Sequence, residues 1–270
     1  MAYKKHSRAA AGFTLIELSV SILIISLILA SVVTVEAQKG RVEKKAELAR
    51  KLDMISEALY NYRLVNNKLP CPGNASLART AANFGVQADG APGECNSGAT
   101  ISSNINSTDL GVSVFGGSVP VRTLGLPDDF AFDPWDGQFT YYVDKNANVS
   151  DNFTSSAGTD GFTDTDILNV EDESGSPLND NVLAVVLSHG PNGHGSFNIA
   201  GVRTSSESSN VAELENCMCD SDAVAVADTA RNIRIQRTLP SSSTDYRTNF
   251  DDVARYFNKS YFYTYAEKYP

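Results

Sequence analysis

Residues 13–35 read FTLIELSVSILIISLILASVVTV, twenty-three positions at which Glu17 is the one charged side chain. A helix of that length measures about 35 Å at 1.5 Å per residue, enough to cross a bilayer core of about 30 Å. Residues 1–12 before it are short, basic (Lys4, Lys5, Arg8) and not hydrophobic. Positive charge ahead of an apolar segment keeps the leader in the cytoplasm and sends the remainder across the membrane. An ordinary secretory signal has a shorter apolar core followed by a small-residue cleavage site, which does not follow cleanly here. A plain signal anchor accounts for length and orientation but leaves Glu17 unexplained. A carboxylate inside a lipid-spanning helix costs about a few kcal/mol unless it finds a partner. Cutting the chain after Gly12 would create a new α-amino group on Phe13. That ammonium, on one copy, can pair with Glu17 of the next, neutralising both charges in a water-poor interior and fixing the axial register between copies.

The run Ala11-Gly12-Phe13-Thr14-Leu15-Ile16-Glu17-Leu18 behind a short basic leader resembles the prepilin signature of type IV pilins and type II secretion pseudopilins. In that family a membrane aspartyl peptidase cuts after the glycine and methylates the new N-terminal residue. The resemblance implies that Gly12 is the cleavage residue, Phe13 the methylated one and Glu17 the assembly carboxylate. It implies as partners the prepilin peptidase, an inner-membrane assembly platform, membrane lipid and other copies or related pilin subunits in a filament. The expected location is the bacterial inner membrane, crossed once with the body in the periplasm, and then the pilus or pseudopilus. Family members often carry Gly or Pro inside the apolar segment. This chain has neither between Phe13 and Lys39, so an unbroken helix is expected, with Gly40 its first weak point.

Beyond Val35 the helical pattern continues to residue 66 with Leu48, Leu52, Ile55, Leu59 and Tyr62 as one apolar stripe among charges, suited to docking on a body. Asn66-Asn67-Lys68-Leu69-Pro70 ends it. Residues 67–270 then form the body of an α+β fold, a long helix packed on an antiparallel sheet. Strands are expected at Val112–Phe115, Val119–Leu124, Phe139–Val143, Val182–Leu187 and Ile233–Arg237. Residues 73–110 read as an extended loop. Asn249, followed by FDDVARYF, is expected to cap a short C-terminal helix.

The body carries 12 basic and 26 acidic residues from Asn67 onward, a local −14 within a chain of net charge −10. Such a surface repels phosphate backbones and argues against nucleic-acid binding. Four cysteines, Cys71, Cys95, Cys217 and Cys219, fit disulfides in an oxidising compartment better than a zinc finger, for which the spacing is wrong. Cys71 and Cys95 can staple the loop between them. Cys217 and Cys219 are too close to bridge each other easily, which favours pairing each with Cys71 or Cys95.

Two further stretches are similar to major pseudopilins. Asp133-Pro134-Trp135-Asp136-Gly137 before the Phe139–Val143 strand resembles their Asp-Pro-Trp-Gly segment, and Leu187-Ser188-His189-Gly190-Pro191-Asn192-Gly193 their Ser-x-Gly-Pro-Asp-Gly loop. The β-region of that family holds calcium through a loop near these positions, although Asn192 stands here where an acid is expected. The segment Asp160-Gly161-Phe162-Thr163-Asp164-Thr165-Asp166 clusters Asp160, Asp164 and Asp166 as candidate Ca²⁺ ligands, without the Gly and Glu of an EF-hand. His189 and His194 flank a turn, and an enzymatic reading would set them beside Ser188 or Ser196. No partner acid is assignable from sequence, so turn residues are the better account. The alternative to a filament subunit is a signal-anchored periplasmic enzyme or binding domain.

Overall fold

Helix α1, Leu15–Asn66, opens on a capping box. Glu17 N–H donates to Thr14 Oγ1 at 3.3 Å, while Glu17 Oε2 accepts Thr14 N–H at 2.9 Å and the Thr14 hydroxyl at 2.8 Å. Two otherwise orphaned donors of the first turn are thereby satisfied. In the apolar stretch the hydroxyls of Ser19, Ser21 and Ser26 donate to the carbonyls of Ile16, Glu17 and Ile22, so these serines make no demand on the surroundings. The helix passes through Gly40 unbroken, as expected. It stops where Asn67 takes a left-handed conformation (φ 53°) and donates its N–H to Arg63 O at 2.8 Å, the αL cap that asparagine tolerates better than most residues.

The computed structural model describes residues 14–89, 95, 114–148, 168–172, 176–204, 210, 213, 216, 232–235 and 250–262; for 29–38, 145, 169, 177, 179–181 and 232–235 it describes the backbone alone. The chain divides into two units, Met1–Ala46 and Glu47–Pro270. Among the described residues, no helix is long and apolar enough to cross a membrane. Phe13 and the side chains of residues 29–35, which belong to the expected membrane segment, lie outside them.

The second unit is an α+β body. Its strands are β1 Val114–Ser118, β2 Thr140–Asp144, β3 Leu168–Asp172, β4 Pro177–Ser188, β5 Asn232–Ile235 and β6 Val253–Asn258. β1 pairs antiparallel with β2 and β2 with β4; β4 also pairs antiparallel with β3 near its start and with β6 along Val182–Ser188. β4 is thus the centre of the sheet. Alternation sorts its two faces. Tyr141, Val143, Ala184, Val186 and Phe257 share one buried cluster with Leu48, Leu52, Ile55 and Leu59 of the α1 stripe, while Tyr142, Val182, Val185 and Leu187 join Leu168 and Val170 in another. The stripe therefore docks on the body as its spacing predicts. Tyr62 is only half-buried at its end.

Several expectations need correction. Residues 119–124 form a turn rather than a strand, with Val119 and Val121 buried through local bonds such as Val121 N–H to Val119 O. β4 begins five residues before the expected Val182. β3, in the acidic insertion, was not expected at all. β5 runs parallel to β3, against the antiparallel expectation; the chain between them is long enough to return in the same direction. The segment after Asn249 is strand β6, because its apolar residues pack onto β4 and long-range pairing overrides a local capping signal. Finally, Cys71 is bonded to Cys95, so neither Cys217 nor Cys219 pairs with them.

Candidate functional site

Asp133, on the turn before β2, is where two distant segments meet. Its Oδ1 accepts the N–H groups of Trp135 (2.9 Å) and Gly137 (3.0 Å), and its Oδ2 accepts the Ser188 hydroxyl at 2.6 Å from the end of β4. The two pseudopilin-like stretches, some fifty residues apart, are thus joined by one hydrogen bond. Burial pushes the Asp133 carboxyl up to about 6, against those three hydrogen bonds and the positive charge of Lys51, which lower it.

The turn leaving β4 carries the next layer. His189 is buried, its Nε2 lies 2.8 Å from Thr140 Oγ1, and its Nδ1 faces Asp252 Oδ1 at 3.9 Å. Burial, with the nearby charges of Arg203 and His194, holds its pKa down at about 3, so the imidazole is neutral. Gly190 has φ +61°, and a Cβ there would overlap the backbone carbonyl of Asp251, so the turn needs glycine to approach the C-terminal segment. Asn192 follows, donating its N–H to Asp251 Oδ2 at 3.1 Å and its side-chain amide to Glu213 Oε1 at 2.7 Å. The amide of Asn216 donates to Asp252 Oδ2 at 2.8 Å, and Asn216 O accepts the Tyr142 hydroxyl.

Glu213, Asp251 and Asp252 are all buried, and one oxygen from each lies within 4.8 Å of the others. Burial raises Asp251 to about 8 against the Asn192 N–H, with Glu213 and Asp133 adding to the rise. Burial likewise raises Asp252 well above the carboxylate range against the Asn216 amide, reinforced by Glu213, Asp251 and Asp133. Asp251 Oδ1 and Asp252 Oδ1 accept no hydrogen bond. Buried charge without compensation is unfavourable, so such a group takes up either protons or a cation. An all-oxygen set suits a hard cation, and these residues fit the calcium that the pseudopilin resemblance implies. The expected ligands Asp160, Asp164 and Asp166 lie outside the described residues, as do Cys217, Cys219, Gly12 and Phe13.

An enzymatic arrangement around the histidines finds little in this geometry. The Ser188 hydroxyl is committed to Asp133 rather than to a histidine, and both groups are buried. His189 is neutral and enclosed. Sequence reading missed Glu213, Asp251, Asp252 and Asn216. The adjacent acids of Phe250-Asp251-Asp252-Val253 were a usable signal, since paired carboxylates between apolar residues that fold inward need a reason.

Glu17 sits at the other end of the chain, in the first turn of α1. Around it Leu15, Ile16, Leu18, Val20, Ile22, Leu23, Ile24, Ile25, Leu27 and Ile28 are all at least 50% exposed, an apolar surface uncovered within the single chain. Residues 7–33 match the prokaryotic N-terminal methylation motif. This is a prepilin-type signal. The signal supports a pilin-like or pseudopilin-like substrate of prepilin peptidase, a class that is usually structural. It also accords with a membrane-anchored precursor that passes into a filament. No curated protein and no solved structure matches the chain.

Proposed function

We propose that this chain is a filament subunit: a precursor held in the inner membrane by its apolar helix, cut after Gly12, N-methylated on Phe13, and polymerised through that helix with copies of itself or related subunits. The observation that carries the reading is the exposed apolar surface from Leu15 to Ile28, interrupted only by Glu17 and serines, within residues that match the methylation motif. In water such a surface is unfavourable by roughly 25 cal/mol per Å², so it calls for lipid or for the same surface on another subunit. Glu17 then serves as the register device, meeting the Phe13 ammonium of a neighbour. Between the two filament types, the Asp133–Gly137 turn hydrogen-bonded to Ser188 favours the type II secretion pseudopilus, since both segments resemble major pseudopilins.

Intact-mass measurement on membrane-extracted and filament-derived chains tests the proposal. Loss of residues 1–12 with a gain of 14 Da, the mass of one methyl group in place of hydrogen, is about the expected change. A chain that keeps Met1, or loses the whole apolar segment, overturns it in favour of a tethered periplasmic protein.

A further inference from the structure

We infer that Lys39, Arg41, Lys44 and Lys45 form a cationic collar that binds the headgroups of anionic phospholipids where α1 leaves the membrane. The inference rests on the anchoring proposed above, with the apolar run ending at Val35. Residues 39–45 hold four basic side chains and one acid, Glu43, whereas the chain from Asn67 onward holds 12 basic and 26 acidic residues. All of these cations are exposed. Lys39 lies 3.9 Å from Glu43, an exposed pair of little strength, and neither Arg41 nor Lys45 forms an ion pair among the described residues. Cations on the translocated side give no help in orienting the chain, so their gathering here calls for another use.

Their height on the helix selects the partner. The helix runs unbroken through this stretch. At 1.5 Å per residue, Lys39 stands about 6 Å beyond Val35 and Lys45 about 15 Å. The headgroup layer on each side of a bilayer is about 5–8 Å thick. Side chains of a helix lean toward its N-terminus, which here is the membrane side, and long basic stems carry their charge further that way. The collar thus reaches the layer or comes within a Debye length of it, about 8 Å at physiological salt. Around the axis, at about 100° per residue, Arg41, Lys44 and Lys45 share one arc of about 100°, with Glu43 well outside it. Arg41 falls between the two lysines. A guanidinium flanked by two ammonium groups suits a phosphate diester, which arginine can grip in bidentate fashion.

A second copy of the chain, with its acidic body, is the competing partner. Several surface acids of that body are already taken, however. Asp53 pairs with Arg255, Asp128 with Arg122, Asp129 with Arg79 and Asp89 with Lys68. Glu213, Asp251 and Asp252 are buried. Lipid phosphates bring negative charge to the height at which the collar stands.

The experiment reconstitutes the full chain into phosphatidylcholine bilayers that carry a trace of spin-labelled phosphatidylglycerol or spin-labelled phosphatidylcholine. Electron paramagnetic resonance then reads how strongly each lipid associates with the protein. We expect phosphatidylglycerol to be preferred at least about threefold, a preference that about 1 M NaCl abolishes by cutting the Debye length to about 3 Å. The triple variant Arg41→Gln, Lys44→Gln, Lys45→Gln should remove at least about half of the preference. Its altered side chains are exposed, so the fold is unaffected. The triple variant Lys4→Gln, Lys5→Gln, Arg8→Gln, altered on the opposite leaflet, should keep at least about half. Equal association of the two lipids with the unaltered chain overturns the inference, and so does a preference that the collar variant keeps in full. If that variant instead loses its place in sheared filaments while its lipid preference stands, the cations serve a second copy and the inference falls. A chain that enters neither bilayer sinks the anchoring itself; one that enters both without preference sinks only the collar.

Discussion

Thr14 and Glu17 cap the first turn of α1 for each other, with Glu17 Oε2 accepting both the Thr14 N–H (2.9 Å) and its hydroxyl (2.8 Å). The carboxylate expected to pair with a neighbouring copy therefore has a local use within one chain as well. The proposed register role adds to this use. Thr14→Val should speed amide exchange in residues 15–18 about fivefold, the equivalent of roughly 1 kcal/mol for a lost cap, and Thr14→Ser should restore it. Glu17→Ala should leave the precursor in the membrane at normal abundance while reducing its share of sheared filaments at least about tenfold. Unchanged incorporation would remove the register role and leave only the cap.

The disulfide Cys71–Cys95 closes a loop of sequence separation 24. In the chain-entropy account, losing such a constraint costs about 3 kcal/mol. The Cys71→Ser, Cys95→Ser double variant should melt about 6–12 °C lower for a body of this size. It should also become more susceptible to proteolysis between those positions. An unchanged midpoint would mean that the constraint does not distinguish folded from unfolded chains.

Asp133 gives the body an unusual pH dependence. Its pKa rises from the ordinary 3.8 to about 6 on folding, so the native state binds this proton more tightly than the unfolded chain does. Stability from this group is fully present below about pH 4 and is lost as pH rises through about 6, by an order of 2–3 kcal/mol. Asp133→Asn keeps an acceptor for the Trp135 and Gly137 N–H groups but cannot titrate. The difference in unfolding free energy between the two proteins should therefore change across pH 4–6 and level off above it. A parallel pair of profiles would show that Asp133 does not titrate in this window.

The docked half of α1 offers a contrast between buried and surface positions. Leu59 is 0% exposed, whereas Leu64, five residues on, is 43% exposed. Leu59→Ala should cost about 2–5 kcal/mol in chemical denaturation and Leu64→Ala less than about 1. Similar costs would argue that the stripe is not held against the sheet.

Gly190 is the tightest point of the turn after β4. With φ at +61° and the Asp251 backbone where a Cβ would stand, Gly190→Ala should lower stability by at least about 1 kcal/mol. The comparison is Gly125→Ala, at φ +72° but with open space around it, which carries the backbone strain without the collision. A cost for Gly190→Ala no greater than for Gly125→Ala would remove the proposed close approach.

What the sequence made legible follows the range of the forces involved. The helix, its stripe and its stop at Asn67 are set by residues within a turn or two of one another, and these were readable. The capping box is equally local, in Thr14-Leu15-Ile16-Glu17, although an acid in an apolar helix points first to a distant partner. β2 and the end of β4 announced themselves as apolar runs. β3 did not, because Leu168 and Val170 sit among acids and gain their burial from β4. β6 was misread for the related reason that Asn249 and the acids after it imitate a helix start, while Val182–Ser188, seventy residues away, decides the outcome. The carboxylate cluster depends on Glu213 reaching Asp251 and Asp252 across the fold, and no spacing rule encodes that. The Asp133–Ser188 bond is intermediate: both segments were singled out, and only their meeting was hidden.

The position of β6 also bears on how a subunit is made. Residues 182–188 of the central strand wait for residues 253–258, some sixty-five or more positions later, before their hydrogen bonds on that side are complete. Until residues 253–258 are made, the nascent body presents an open, apolar strand edge, a surface prone to pairing with the wrong chain. Under the proposed anchoring, holding the emerging polypeptide at a membrane would space it from its siblings in two dimensions until its own sequence arrives to close that edge.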